Sequence, residues 1–219
     1  MALLRSADPI RPGLIPLPIL AGIVVLGCGL YGAAVGWWRA GEMAAYVAVK
    51  LPACLLATLA INAILNGILA ALAGSGLTFR QTLEAQLHAS AVSSLVLAAL
   101  SPVAAFAALS LPSPPMANLA ATHAALMLFH TALIGASGLA GVWHLRRTVQ
   151  AWAATPKAAR LTLLAWVTGN FFVGAQISWI LRPFFGSPGL PVAFLRPDPF
   201  TSSFYESILK SIARLFGLY

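Results

Sequence analysis

Polar side chains that lie inside long apolar runs are the residues of this sequence that could do chemistry. Asn62 and Asn66 lie four residues apart, so they share one face of a helix. His130 and Asn170 lie at a similar depth in two other apolar runs. Because polar groups inside a bilayer are energetically costly, such residues are candidates for a functional site. We therefore predict an intramembrane polar cluster of these four residues.

Two roles are open to this polar cluster. It either binds a solute or an ion, or it forms hydrogen bonds that hold neighbouring helices together. The sequence favours the structural role, because no Asp or Glu accompanies the cluster, and coupled transport usually places a carboxylate at that depth. Glu42 and Glu84 fall in predicted loops, and Lys50 falls at a predicted helix end, where its stem can reach the membrane surface.

Enzyme chemistry finds no support in the residue pattern. A catalytic metal needs about three converging His, Cys, Asp or Glu ligands, and His123 and His130 alone do not supply them. Cys28 and Cys54 lie inside apolar runs without a neighbouring His, where thiols behave as small hydrophobic groups. The serines of the third apolar run are small residues that let helices approach. We therefore predict a protein that is not an enzyme and holds no metal or cofactor.

The composition places these residues in a membrane protein. Of 219 residues, 13 are Lys or Arg and 5 are Asp or Glu, and this charged fraction of 8% compares with about 25% in soluble domains. Hydrophobic residues make up 60%, more than a soluble fold of this size can hide from water. The net charge is +8, but no Lys/Arg run is longer than Arg146-Arg147. We therefore predict the lipid bilayer as a partner and exclude nucleic acid.

Five apolar runs are long enough to cross a bilayer, which takes about 20 residues. They cover 17–38, 47–73, 88–110, 119–142 and 161–182. The predicted fold class is all-α, a polytopic transmembrane bundle of five spans that forms one domain over residues 1–182.

Small residues in these runs predict close helix packing. The first run carries Gly29, Gly32 and Gly36, the last two forming a G-x-x-x-G pattern, and the fifth run carries Gly174. This pattern lets two helix backbones approach closely. The contact lies either within one subunit or between the subunits of a homo-oligomer, and the sequence does not separate these two.

Residues 183–219 form a second region, the tail. Its first part, 183–200, holds four phenylalanines and five prolines, and the prolines exclude a regular helix or an inner strand. We predict an ordered apolar loop that lies on the bilayer surface or on the bundle, or that enters the membrane re-entrantly against protein. Ser203, with Glu206 three residues on, predicts a capping box that begins an amphipathic helix. The helix is expected to lie in the membrane interface, the alternative being that it packs on the bundle.

The tail is the predicted contact surface for other proteins. The residues expected to make these contacts are Phe184, Phe185, Phe194, Arg196, Tyr205 and Lys210. The sequence thus favours a non-enzymatic membrane scaffold or accessory subunit that organises a complex through its tail. The alternative is an oligomeric channel or small-solute permease that uses the intramembrane polar cluster.

The orientation follows from Lys and Arg in the loops, which stay cytoplasmic. Between the spans, one side carries Arg80, Arg146, Arg147, Lys157 and Arg160, and the other carries Arg39 and Lys50. We therefore predict a cytoplasmic N-terminus and a tail on the opposite side. The Ala-, Gly- and Arg-rich composition and the lack of sorting motifs favour a bacterial inner membrane.

The middle of the chain resembles the Yip1-domain family of five-span membrane proteins. The resemblance covers roughly 55–150 and is carried by ILNGIL at 64–69, GSGLTFRQTL at 74–83, HASA at 88–91 and WHLRR at 143–147. It implies a helical bundle with a cytoplasmic N-terminus and the C-terminus on the other side. In eukaryotes the family acts in membrane traffic and binds small GTPases. The resemblance implies no catalytic residue.

Overall fold

The chain folds into five long helices joined by loops. The computed structural model describes residues 13–39, 41–111, 120–186 and 190–206. In chain order the helices are α1 Leu17–Gly36, α2 Gly41–Leu72, α3 Phe79–Ser110, α4 Ala120–Trp152 and α5 Pro156–Ile180, with a 3-10 turn at Trp37–Arg39. Each contains a segment long and apolar enough to cross a bilayer. The predicted all-α fold of five spans is confirmed, and the chain is an integral membrane protein.

Local sequence signals set several helix ends. The Thr78 hydroxyl accepts a hydrogen bond from the Gln81 backbone, and the Gln81 side chain accepts one from the Thr78 backbone, so a capping box begins α3. Thr155 begins α5 by accepting from the Ala158 backbone. Gly74, at φ +67°, follows α2 in the left-handed conformation that glycine adopts readily. These caps fix where the chain leaves one span and enters the next.

Helices α2 and α3 begin earlier than the predicted runs 47–73 and 88–110. Hydropathy falls at their polar first turns, but the helical hydrogen bonds continue through them, because helix formation does not require apolar side chains. α4 likewise continues beyond its predicted end, and α5 begins before its predicted start. Two predictions are therefore wrong: Glu84 lies within α3 rather than in a loop, and Lys50 lies well inside α2 rather than at its end. Both side chains are buried.

α1 lies at the centre of the tightly packed part of the bundle, between α2 and α3. At Gly32 and at Gly36, a backbone carbonyl oxygen of α2 lies 2.5 Å from where a Cβ would stand. On the other side, Gly27 faces the backbone of Ser94 in α3 even more closely. Only glycine permits such close approach, so α1 uses glycines on two sides, one towards α2 and the other towards α3.

The core contains two main clusters. The larger joins α1, α2 and α3 around Leu20, Val24 and Tyr31, and the other lies around Trp166 and Val149, near the end of the bundle where α3 and α5 begin. The outward faces carry large exposed apolar side chains on every helix. Such continuous apolar surface is the surface that lipid covers.

The tail packs on the end of the bundle where α1 and α5 finish. The Lys50 amino group donates to the Pro183 carbonyl at 2.9 Å, and the Arg39 guanidinium donates to the Leu190 carbonyl. The Trp179 indole donates to the Ser202 carbonyl at 2.8 Å. The described part of the Pro/Phe-rich loop therefore contacts the bundle, which is one of its predicted placements.

The predicted C-terminal helix is described only at its start. Residues 204–206 are helical, and the Glu206 backbone donates to the Ser203 hydroxyl at 3.0 Å, which is one of the two bonds of the predicted capping box. The rest of that helix, including Lys210, lies outside the described residues. Its amphipathic and interfacial character stays a prediction.

Candidate functional site

Three of the four residues predicted to form the intramembrane polar cluster meet, and a glutamine joins them. The Asn62 and Asn66 amide nitrogens of α2 both donate to the Asn170 side-chain oxygen of α5, each at 3.0 Å. The Gln86 side-chain oxygen of α3 accepts from Asn66 at 2.7 Å and from Asn170 at 3.2 Å. We call these four residues the amide cluster. It joins three helices through hydrogen bonds, of which the one between Asn66 and Gln86 is buried and the others are partly buried.

Backbone groups extend this network. The Trp166 indole, fully buried, donates to the Asn66 carbonyl at 2.8 Å. The Asn62 amide also donates to the Gly169 carbonyl at 3.3 Å. Each bond links α2 to α5, which are far apart in sequence. Since a buried polar group that loses its partner is costly, this network fixes how α5 docks on the bundle.

The amide cluster also retains unused hydrogen-bonding capacity. Within the part of the chain that the structure describes, the side-chain oxygens of Asn62 and Asn66 and the Gln86 amide nitrogen have no hydrogen-bond partner, and all three atoms are buried. Gln86 and Asn170 line a cavity of about 290 Å³ between α3, α4 and α5. The cluster can thus donate and accept bonds next to a cavity, without carrying a charge.

His130 lies apart from the amide cluster. Its Nδ1 atom lies 3.0 Å from the Tyr31 hydroxyl of α1, and its ring stacks on Phe185 of the tail with centroids 5.6 Å apart. Both His130 and Tyr31 are buried. The spacing of residues along a run predicts depth but not the direction of a side chain around the helix, and His130 faces α1 and the tail.

A second polar group, which the sequence did not predict, lies near the start of α3. Glu84 accepts a hydrogen bond from the Gly13 backbone, and its carboxylate lies 3.8 Å from His88 Nε2. The His88 ring lies 6.2 Å from that of His144 in α4. The i,i+4 spacing of Glu84 and His88 was the available signal, and it was missed because Glu84 was assigned to a loop. Among the described residues, no group of three or more His, Cys, Asp and Glu could hold a metal ion.

The predicted contact residues of the tail are largely in contact with the bundle. Phe184 and Phe185 are half-buried and pack against the large core cluster. The Phe194 ring lies edge-on to Tyr46 at 5.3 Å, with the Lys50 amino group 4.9 Å from its centroid. These three phenylalanines therefore anchor the tail to the helices.

Tyr205 also anchors the tail. Its ring stacks on that of Phe172 in α5 with centroids 4.7 Å apart, and its hydroxyl donates to the Phe172 carbonyl. Burial raises the pKa of the Tyr205 hydroxyl. Arg196 is half-buried, and Phe200 is the most exposed aromatic residue of the described tail, at 79%.

The glycines predicted to pack helices do so within this chain. Gly29, like Gly32 and Gly36, faces an α2 carbonyl oxygen, here 3.3 Å from its Cβ position. At Gly174 of α5 a Cβ would lie 3.5 Å from the Thr58 side chain. Of the two readings of the G-x-x-x-G pattern, packing inside one subunit is the one seen here.

Comparisons with known proteins add no relative. No protein-family model matches the sequence, and searches of curated proteins and of solved structures find no match. The resemblance to the Yip1-domain family therefore stays a prediction, and the functional argument depends on the geometry alone.

Proposed function

We propose that this protein is a non-enzymatic membrane scaffold or accessory subunit whose tail contacts other subunits of a complex. The observation that carries the proposal is the way the tail is held. Its backbone is fixed by Lys50, Arg39 and Trp179, yet Phe200, Leu190 and Leu195 remain exposed. An ordered loop that presents apolar side chains has the character of a protein contact surface, because little entropy is lost when a partner binds it.

The position of Lys50 supports this reading. Its side chain is fully buried (0% exposed), and its amino group donates to the Pro183 carbonyl. Burying a cation is costly unless it is hydrogen-bonded, so the Lys50 amino group strongly favours the loop conformation that provides its acceptor. Phe184 and Phe185 pack against the bundle, which moves the proposed contact surface to the exposed side chains of Phe200, Leu190 and Leu195.

The experiment compares exposed apolar pairs in two places. We propose to replace Phe200 and Leu195 by Ala, and as a matched control to replace Phe106 and Leu109 by Ala on the exposed face of α3. Proteins that co-purify in mild detergent are then measured by quantitative mass spectrometry. The tail variant is expected to lose its stoichiometric partners about tenfold or more, as for an aromatic hot spot. Equal recovery from wild type and both variants contradicts the proposal.

For the location, we propose a bacterial inner membrane, with the N-terminus in the cytoplasm. The support is the excess of Lys and Arg in the loops on that side, together with the composition. Alkaline phosphatase fused after Tyr219 is expected to be active and green fluorescent protein fused there to be dark. The reverse result contradicts the orientation.

The second candidate, an oligomeric channel or small-solute permease, is favoured by one observation. Among the described residues, Gln86 lines a cavity and has a buried amide nitrogen without a hydrogen-bond partner. Proteoliposomes should then pass small neutral solutes, and the double change Asn62→Leu with Asn170→Leu should stop this flux while the protein remains folded. Protein that passes no solute, and that has no oligomer of four or more subunits by mass photometry, contradicts this candidate.

A further inference from the structure

A crevice runs along the bundle between α4 and α5. Three cavities of about 520, 280 and 290 Å³ follow one another there and share lining residues. Leu51, Cys54 and Ile134 line both the first and the second, and Leu55, Ser90 and Asn170 are among those that line both the second and the third. We call this continuous space the lateral crevice. Its floor is α2 and α3, and its walls are α4 and α5.

The walls of the lateral crevice are apolar and include small residues that leave room. On α5 the lining extends from Val167 to Trp179, which is about 18 Å at 1.5 Å per helical residue, and Arg182 follows just past the helix end. This is more than half of the hydrocarbon thickness of a bilayer, about 30 Å. At Gly138 of α4, a lining residue, no atom lies within 4 Å of the Cβ position. The crevice therefore has the length and the lining of a site for an apolar chain.

Arg182 lines the tail end of the lateral crevice. The described residues that line the first cavity include Arg182 and no acidic residue. The Arg182 guanidinium lies 3.8 Å from the centroid of the Trp179 ring and donates to the Trp179 carbonyl at 3.0 Å. Burial and the nearby charge of Arg196 lower the pKa of the Arg182 guanidinium. Positive charge at this end attracts an anion, and the Trp179 ring marks the level of lipid headgroups.

We propose that the lateral crevice binds an anionic phospholipid, with the phosphate at Arg182 and one acyl chain between α4 and α5. The chain extends past Ser178 and Gly174 towards Asn170. This site is independent of the proposed contact surface on the tail. Arginine binds phosphate in a fixed, planar geometry, and the apolar lining replaces the lipid contacts of the chain.

A helix of a second copy fits the lateral crevice less well than an acyl chain does. A helix with side chains is about 10–12 Å across, and three cavities of 280–520 Å³ leave room for a thin chain rather than for such a cylinder. A neutral lipid would fill the space but leave Arg182 without an anion. The anionic phospholipid satisfies both the apolar walls and the cation.

The test uses the full chain in detergent, exchanged against an equal mixture of phosphatidylglycerol and phosphatidylcholine and measured by native mass spectrometry. Gly138→Leu fills the crevice without meeting another atom at Cβ, and Gly135→Leu is the matched control. Gly135 also has an open Cβ position, but it is exposed and lines none of the three cavities. Arg182→Gln tests the headgroup, and circular dichroism checks that each variant is folded.

Wild type and Gly135→Leu are expected to retain one phosphatidylglycerol in preference to phosphatidylcholine. Gly138→Leu is expected to reduce retention about tenfold, and Arg182→Gln to remove the preference while keeping some lipid bound. Equal retention by Gly138→Leu and wild type overturns the site, and equal retention of the two lipids by wild type overturns the headgroup assignment. A dimer of wild type that Gly138→Leu converts to monomer assigns the crevice to a second copy and overturns the proposal.

Discussion

The first and the fifth helices, α1 and α5, differ in how tightly they pack against the rest of the bundle. In the apolar segment of α1, 50% of the residues are buried, and backbone meets backbone at Gly27, Gly32 and Gly36. In that of α5 only 6% are buried, and the lateral crevice separates much of it from α4. α1, α2 and α3 therefore form a tightly packed unit, whereas α5 is held by the amide cluster, by the core cluster around Trp166 and by the tail. The open side of the molecule is the side on which a ligand has room to bind.

The largest effect is expected from filling the tight contact of α1. Gly32→Val places a side chain against the α2 backbone and should destabilise the protein by about 3 kcal/mol. This corresponds to a fall in Tm of about 10 °C, measured by circular dichroism in detergent. Gly22→Val is the control, because the Cβ position of Gly22 has no atom within 4 Å. Equal Tm values for the two variants would show that the contact of α1 with α2 at Gly32 is not tightly packed.

The second-largest loss of stability is expected in the amide cluster, which connects α5 to α2 and α3. Asn66→Leu removes hydrogen bonds to Gln86 and Asn170 and leaves their polar atoms buried, so we expect a loss of about 2 kcal/mol. In a double-mutant cycle with Gln86→Leu, the two losses should fall short of additivity by at least about 0.5 kcal/mol. Denaturant unfolding in mixed micelles measures each value. Strict additivity would contradict a direct bond between the two side chains.

A smaller and local effect is expected at the tail. Lys50→Met keeps the length of the side chain but removes the donor to the Pro183 carbonyl. Backbone amides of 190–206 should then exchange hydrogen about tenfold faster, while those of α1 are unchanged, because a local opening needs only about 1.4 kcal/mol. Hydrogen exchange with mass spectrometry makes the measurement. Arg80→Met is the control, an exposed cation at the opposite end of the bundle, and faster exchange in both variants would argue against a specific anchor.

The sequence predicted the five spans because hydrophobic composition alone selects them. It placed Glu84 and Lys50 wrongly because hydropathy marks where the apolar runs end and not where the helical hydrogen bonds end. Asn62 and Asn66 were found through their spacing on one helix face. Gln86 was missed, since its partners come from α2 and α5 and it lies ahead of the predicted third run. His130 was joined to the wrong residues because equal depth leaves the rotation of a helix undetermined.

The smallest change in stability is expected in the lateral crevice, in contrast to the tight contact of α1. Gly138→Leu adds a larger side chain than Gly32→Val does, yet its Cβ position is empty, so the free energy of unfolding should change by no more than about 0.5 kcal/mol. The higher helix propensity of Leu over Gly, up to about 1 kcal/mol, offsets what the new side chain loses in rotamer freedom. The Tm in lipid-free detergent measures this. An unchanged Tm together with a loss of phosphatidylglycerol binding would show that the substitution blocks the binding site without destabilising the fold. A fall as large as that of Gly32→Val would mean that α4 and α5 pack as tightly as α1 and α2, because only a closed contact makes an added side chain so costly.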